Sequence, residues 1–215
     1  MKRNNRMKCV VISDTHGMYE KINIPDGDVF IHAGDILGKG TLFELDEFND
    51  WLGSLPHKYK IVIAGNHDWC FENSERASRG LLSNAIYLRD ESIVIDNVHF
   101  YGAPWQPYFM NWAFNLKRGE ELKMKWQLIP NNTDVLITHG PPAGVLDKIT
   151  SGECVGCEGL AEAVARVKPI FHIFGHIHEG YGIIKSNGTT SINACINTEK
   201  YKPENKAIVF YIDKQ

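Results

Sequence analysis

Two histidines, His176 and His178, stand just past an apolar run, Ile170 to Phe174, that Gly175 interrupts. The run predicts a buried strand and the glycine its end. In extended backbone, residues i and i+2 point to the same side, so both imidazoles are expected to converge on one spot. Neutral imidazole is a frequent ligand of divalent transition metals. One His-x-His pair is weak, and an ordinary turn accounts for it equally well. Four more apolar strands, however, end in the same way. Asp14 and His16 follow the first, Asp35 the second, Asn66 and His67 the third, and His139 the fourth. A single Asp or His at a strand end is a turn residue on most occasions. Eight residues of metal-ligand or acid–base type, all at strand ends, exceed what turn chemistry needs and point to a shared metal site.

The elements that must position them follow from the same pattern. Strands are expected at Lys8–Ser13, Asp28–His32, Tyr59–Ala64, Asp134–Ile137 and Ile170–Phe174. In open α/β sheets the crevice at the carboxyl ends of strands is where ligands bind. Between Leu42 and Leu55 the apolar residues Leu42, Leu45, Phe48, Trp51, Leu52 and Leu55 have helical spacing, with Thr41 as N-cap. Further helices are expected at Ser74–Leu82, at Gly119–Leu128 and up to Val167. Shorter strands read at Ile86–Leu88, Ser92–Asp96 and Val98–Tyr101, with Asp96-Asn97 as a hairpin turn. A second hairpin joins Tyr181–Lys185 to Thr190–Ala194 around Ser186-Asn187-Gly188, and Ala207–Ile212 closes the pattern. Pro104 to Phe114 is aromatic and carries two prolines, so it reads as a loop.

With 215 residues and no repeat or linker, the chain is expected to form one domain spanning 1–215. Its net charge of −3 and pI near 6.3 give no basic footprint for a standing nucleic-acid partner. That argues only weakly against a nuclease, because bound cations reverse the local sign. The opening Met1–Lys8 is basic, but the apolar run after it stops at Ile12, too short for a signal-peptide core. No stretch reaches transmembrane length, so a cytoplasmic location without a membrane partner is the expectation. Five cysteines are an odd number, which favours reduced thiols over a disulfide framework. Cys154-Val155-Gly156-Cys157 has zinc or redox spacing, but no second pair completes it, and a loop entering the helix from Glu158 is the simpler reading.

Taken together, Asp14-Thr15-His16, Gly34-Asp35, Gly65-Asn66-His67-Asp68, Thr138-His139-Gly140 and Gly175-His176-Ile177-His178 resemble the calcineurin-like metallophosphoesterase superfamily. All five blocks stand in family order. Gly102 to Pro107, Thr138 to Pro142 and Gly175 to Gly182 look more narrowly like the phosphodiesterase branch of metallophosphoesterase-domain proteins. The resemblance implies an α/β fold, a two-layer βαβα sandwich with a dinuclear metal site at the strand ends. By motif, Asp14, His16 and His178 would hold one metal, Asn66, His139 and His176 the other, and Asp35 would bridge them. Imidazole, carboxylate and amide ligands suit manganese first, and also iron, zinc or nickel. Two cations about 3.5–4 Å apart can share a hydroxide and stabilise an in-line displacement at phosphorus. The family places His67 off the metals, as general acid toward the leaving group. The alternative for His67 is a further ligand or a supporting group.

In the protein Ser/Thr phosphatases the block around the bridging Asp continues with a further Asp and an Arg. Here it continues Ile36-Leu37-Gly38-Lys39-Gly40, which counts against a phosphoprotein substrate. Asp68 is expected to cap its turn rather than orient His67. His32, His57, His99 and His172 read as packing or surface residues. Trp105, Gln106, Tyr108, Trp112 and Phe114 either wall a substrate pocket, with Trp105 and Gln106 as its binding residues, or form a packed hydrophobic loop. The expected activity is hydrolysis of a small, cyclic-nucleotide or aryl phosphodiester. A phosphomonoesterase, a nuclease and a scaffold that keeps the fold without catalysis are the rival readings.

Overall fold

Along the first strand Cys9 and Val11 join one buried apolar cluster, while Val10 and Ile12 join another. A strand covered on both faces needs a second layer on each side. The computed structural model describes residues 6–214 and supplies those layers. Of the basic opening Met1–Lys8, residues 1–5 lie outside the described residues.

In chain order the elements are β1 (Arg6–Ile12), β2 (Val29–Ala33), α1 (Leu42–Ser54), β3 (Tyr59–Ile63), α2 (Trp69–Asn73), α3 (Glu75–Leu81) and β4 (Ile86–Tyr87). Then follow β5 (Glu91–Ile95), β6 (Val98–Ala103), β7 (Gln106–Pro107), β8 (Asn115–Leu116), α4 (Glu120–Gln127) and β9 (Val135–Thr138). The last are α5 (Glu158–Val167), β10 (Phe171–Phe174), β11 (Gly182–Ser186), β12 (Thr189–Asn193) and β13 (Ile208–Asp213). One sheet runs β13-β1-β2-β3-β4, parallel except for β13. The other runs β11-β12-β10-β9-β6-β5, parallel in its centre with antiparallel edges.

Val11, Ile31 and Ile63 from the first sheet pack with Phe100, Ile137, Ile173 and Ile192 from the second, so one core lies between the sheets. Helices cover the outer faces. Trp51 and Phe48 of α1 meet Phe30 and His32 of β2 edge-on, and Trp126 of α4 and Leu160 of α5 share a cluster with Tyr101 and Leu136. This is the expected α/β sandwich. Thr41 caps α1 in a reciprocal box with Glu44, a device that stabilises a helix by about 1 kcal/mol. Both predicted hairpins turn through left-handed pairs, Asp96-Asn97 and Asn187-Gly188. The helix expected over Ser74–Leu82 is α3; a further short helix, α2, precedes it, and Ser74 in non-helical geometry separates the two. The 104–114 segment is a loop pinned at both ends by the parallel pair β7–β8.

Candidate functional site

The strand ends are tied to one another by backbone bonds. Ser13, directly after β1, donates to Ala194 O (2.9 Å) and accepts from Ile196 N–H (2.9 Å), which joins the first sheet to the end of β12. Asp14 N–H donates to Gly34 O (2.9 Å), His16 N–H to Asp35 O (3.0 Å) and Gly175 N–H to His139 O (2.8 Å). These turns bend sharply: Asp14, His16, Asp35 and His176 all have left-handed backbone, φ 54°, 44°, 52° and 68°. That conformation costs a non-glycine residue about 1–2 kcal/mol, and such strain gathers at functional sites. Gly175 and Gly65 have a different task. A Cβ at Gly175 would collide with the Asp14 carboxylate and Ser13 Oγ, and one at Gly65 with the Asp35 carboxylate. Only glycine lets the chain pass that close.

Eight polar side chains converge there. Asp14, His16 and His178 form one group, with His178 Nε2 3.5 Å from Asp14 Oδ1 and 3.4 Å from His16 Nε2. Asp35, His139 and His176 form another. His139 Nε2 lies 3.4 Å from Asp35 Oδ1 and 3.0 Å from Asn66 Oδ1, so Asn66 belongs with this second group. Asp35 reaches both, its Oδ2 being 3.8 Å from His16 Nε2. Its backbone neighbour at the rim is His67, whose N–H donates to Asp35 Oδ1 (2.8 Å).

The donors fit divalent cations. Asp14 Oδ1 is buried without a hydrogen-bond partner, while Oδ2 is occupied by Ser13 Oγ, by Cys195 Sγ (3.0 Å) and by His176 N–H (2.9 Å). His139 Nδ1 and His178 Nδ1 each lie 3.0 Å from a carbonyl, Ala33 O and Thr198 O. A carbonyl only accepts, so both Nδ1 atoms carry the proton, and in the neutral ring Nε2 presents its lone pair to the group. Backbone orientation of this kind is how proteins aim imidazole at a metal.

His176 and His178 do not converge as an extended strand would place them. His176 is left-handed and His178 starts a 3-10 turn, so the first ring joins Asp35 and His139 and the second joins Asp14 and His16.

His67 is held from two sides. Its Nδ1 donates to Gly38 O (3.2 Å), and its ring stacks on Trp112, 4.3 Å between centroids at 24°. The hydrogen bonds of Asp68 go to backbone, not to this ring. That buried carboxylate accepts from Gly65 N–H (2.7 Å), Leu37 N–H (2.9 Å) and Ile36 N–H (3.1 Å), stapling the Asn66 turn to the Asp35 turn. Burial and the charge of Asp35 push it up to about 7 against those three bonds. His32 and His172 are buried supports, bonded to Thr15 Oγ1 (3.0 Å) and Thr138 Oγ1 (2.9 Å), each beside a ligand-type histidine. Burial lowers both to about 3, which keeps them neutral.

The group opens into a cavity of about 580 Å³ lined by Tyr108, Trp112, Arg118, Ile149, Glu179 and Tyr201 among others. Trp105 and Gln106 are not among the lining residues, which corrects their expected role. Trp105 is buried, donates to Asp90 Oδ1 (2.7 Å) and lies under Lys125; Gln106 donates to Ala113 O (3.3 Å) and Asn115 Oδ1 (3.2 Å). They set the loop, and Tyr108 and Trp112 at its tip face the cavity. Tyr201 and Thr198 carried no sequence signal; only the return of the chain past β12 brings them in.

Electrostatics couple the group tightly. Burial pushes Asp14 and Asp35 up, but the imidazoles, His178 foremost for Asp14 and His139 for Asp35, outweigh it and hold both carboxyls low. Burial alone would lower His139, yet Asp35 and Asp14 raise it to about 9. In the metal-free protein the raised His139 contributes stability that is complete below the ordinary histidine value of about 6.5 and is lost as pH rises through about 9. A cation must displace the same proton. We expect divalent-metal affinity to rise between pH 6.5 and 9, with proton release seen by calorimetry in buffers of different ionisation heat. Uptake without proton release in that window would remove His139 from the ligand set.

The family model for calcineurin-like phosphoesterases matches residues 7–180. Metallophosphoesterase domain-containing protein 1 of Homo sapiens is 45% identical over 227 residues, covering 94% of this chain and 70% of that protein. The Mus musculus protein of the same name matches to the same extent, 45% over 94% and 70%. Among solved structures, phosphopantetheinyl hydrolase from Mycobacterium tuberculosis superposes with a TM-score of 0.64 at 13% identity, over 94% of this chain and 95% of that one. A Thermus thermophilus protein, TT1561, gives 0.59 at 12%, over 87% and 88%. These two share the fold.

Proposed function

The chain belongs to the calcineurin-like phosphoesterase family, and from that premise we propose that it is a dinuclear metal-dependent phosphodiesterase acting on small diesters. The observation that carries the reading is Asp35, whose two oxygens face the imidazoles of two separate ligand groups. Asp14, His16 and His178 would hold one cation, Asn66, His139 and His176 the second, with Asp35 shared. Two cations there would acidify a water and offset charge on the phosphoryl oxygens, and manganese suits the mixed oxygen and nitrogen donors.

The chain's own part is to orient the diester and to move a proton. As imidazolium, His67 keeps Nδ1–H on Gly38 O and has Nε2–H to give. A water oxygen forms the new bond to phosphorus as the bond to the leaving oxygen breaks, and that oxygen takes the His67 proton. The attacking water sheds one proton in turn, so the products are a monoester and an alcohol.

Preference for diesters is supported by the cavity. Among its described lining residues Arg118 is the one Lys or Arg, and its guanidinium is engaged by Gly156 O, Val155 O and Glu158. Glu153, Glu179 and Glu199 also line it. A dianionic monoester meets carboxylates without a free clamp, whereas a monoanionic diester with an apolar substituent meets tyrosine and tryptophan. With manganese, kcat/KM on bis(4-nitrophenyl) phosphate should exceed that on 4-nitrophenyl phosphate. Monoester turnover roughly tenfold better at the same pH and metal would reverse the assignment. Among the described residues no helix is long and apolar enough to cross a membrane.

A further inference from the structure

Tyr201 is a bulky residue at φ 54°, a conformation that glycine or asparagine adopts far more readily. It sits in the turn 198–202, which Thr198 N–H closes on Lys202 O (2.9 Å) and Tyr201 N–H on Thr198 O (2.8 Å). The residue is 54% exposed and lines the cavity, and its ring lies 5.0 Å, centroid to centroid, from both His16 and His178. The same turn supplies the Thr198 carbonyl that fixes the His178 ring. That task uses backbone and would be met by a small residue at 201, so the half-exposed aromatic ring asks for a separate reason.

The ring contacts beside the cavity give one. His67 touches His16 edge-on at 4.5 Å and Trp112 face-on at 4.3 Å, so a chain of ring contacts runs from Trp112 through His67 and His16 to Tyr201, with Trp112, His67 and Tyr201 on the lining. A leaving group that takes its proton from His67 departs along the Trp112 wall. In an in-line displacement the substituent that stays on phosphorus is equatorial and points elsewhere. We infer that Tyr201 forms the subsite for this retained substituent and selects a planar, uncharged group by stacking, an inference that rests on the diesterase reading above. Glu199 and Glu179, also on the lining, would repel a retained group carrying further phosphate.

The test holds the leaving group constant and varies what stays. Manganese-loaded wild type, Tyr201→Gly and Tyr201→Phe are assayed on 4-nitrophenyl phenylphosphonate, 4-nitrophenyl methylphosphonate and 4-nitrophenyl phosphate. Glycine is chosen because it accepts the left-handed backbone, so the turn persists; metal content is checked for each protein. Tyr201→Gly should lower kcat/KM about tenfold on the phenyl substrate, through KM, and less than about twofold on the other two, as an aromatic stack predicts. Tyr201→Phe should match wild type. Equal losses on all three substrates would make Tyr201 a prop for His178, and a loss with phenylalanine would put the hydroxyl in place of the stack; either overturns the inference. Calorimetric binding of phenylphosphonate and methylphosphonate reads the same preference without turnover. Wild type should bind the phenyl compound about tenfold more tightly and Tyr201→Gly should bind both alike. Diester inactivity of wild type with that binding preference intact would reject the diesterase reading alone, and no preference in wild type would reject the subsite.

Discussion

Asp35→Asn is expected to strip the centre of both cations together. The carboxylate is 2% exposed, takes the His67 N–H on Oδ1, and stands 3.4 Å from His139 Nε2 and 3.8 Å from His16 Nε2. An amide keeps the volume but removes the negative charge and turns one oxygen into a donor that no cation accepts. Replacing a merely supporting residue costs metal affinity about 10–100-fold, so loss of a shared anionic ligand should cost at least that at each position. Metal analysis after dialysis should show both equivalents gone, with hydrolysis falling in step. A melting curve separates this from unfolding. If the variant keeps one tightly held cation at full occupancy, Asp35 serves a single site and the dinuclear reading fails.

The parts of this centre that were legible in the chain are those that chemistry places next to a strand. Asp14, Asp35, Asn66 and His139 follow runs such as Val10–Ile12 and Leu136–Ile137, whose burial on both faces makes them unmistakable as central strands. The order of the sheets then forces those ends together, because Ser13 bonds to the chain beyond β12. What lies outside regular structure was not legible in the same way. Trp105 and Trp112 stand in one aromatic loop with no periodicity to say which is inside. The pairing of Gln106 with Asn115 settles it, sending Trp105 to Asp90 and leaving Trp112 beside His67. His176 and His178 misled for a related reason: the two-residue alternation assumed there ends at Gly175, and a left-handed residue followed by a 3-10 turn divides the rings between two groups. Tyr201 has no local signature at all, since its role depends on a turn whose partners are about 20 and 185 residues away in sequence.

His67→Ala should separate the acid from the ligands. The ring is fixed by Gly38 O and Trp112 and lines the cavity, yet it also falls within reach of His16 and Asp35 in a third group that could hold a cation. Two arguments favour the acid. Its Nδ1 is taken by a backbone carbonyl, which leaves a single nitrogen for either job, and the stacked, half-buried ring lines the cavity, where that nitrogen can meet a bound ester. Asp35 and His16 meanwhile have other ligand-type partners, His139 and His178. On this account the variant keeps both cations and its fold, while turnover of diesters with alkoxide leaving groups falls by about 10²–10⁴. Nitrophenolate scarcely needs a proton to depart, so the same substitution should cost far less on nitrophenyl esters. The ratio of the two losses is therefore the informative quantity, because weakened metal binding would depress both substrates alike. Equal losses, or a cation missing from the purified variant, would return His67 to the ligand set and leave the leaving group without a proton donor from this chain.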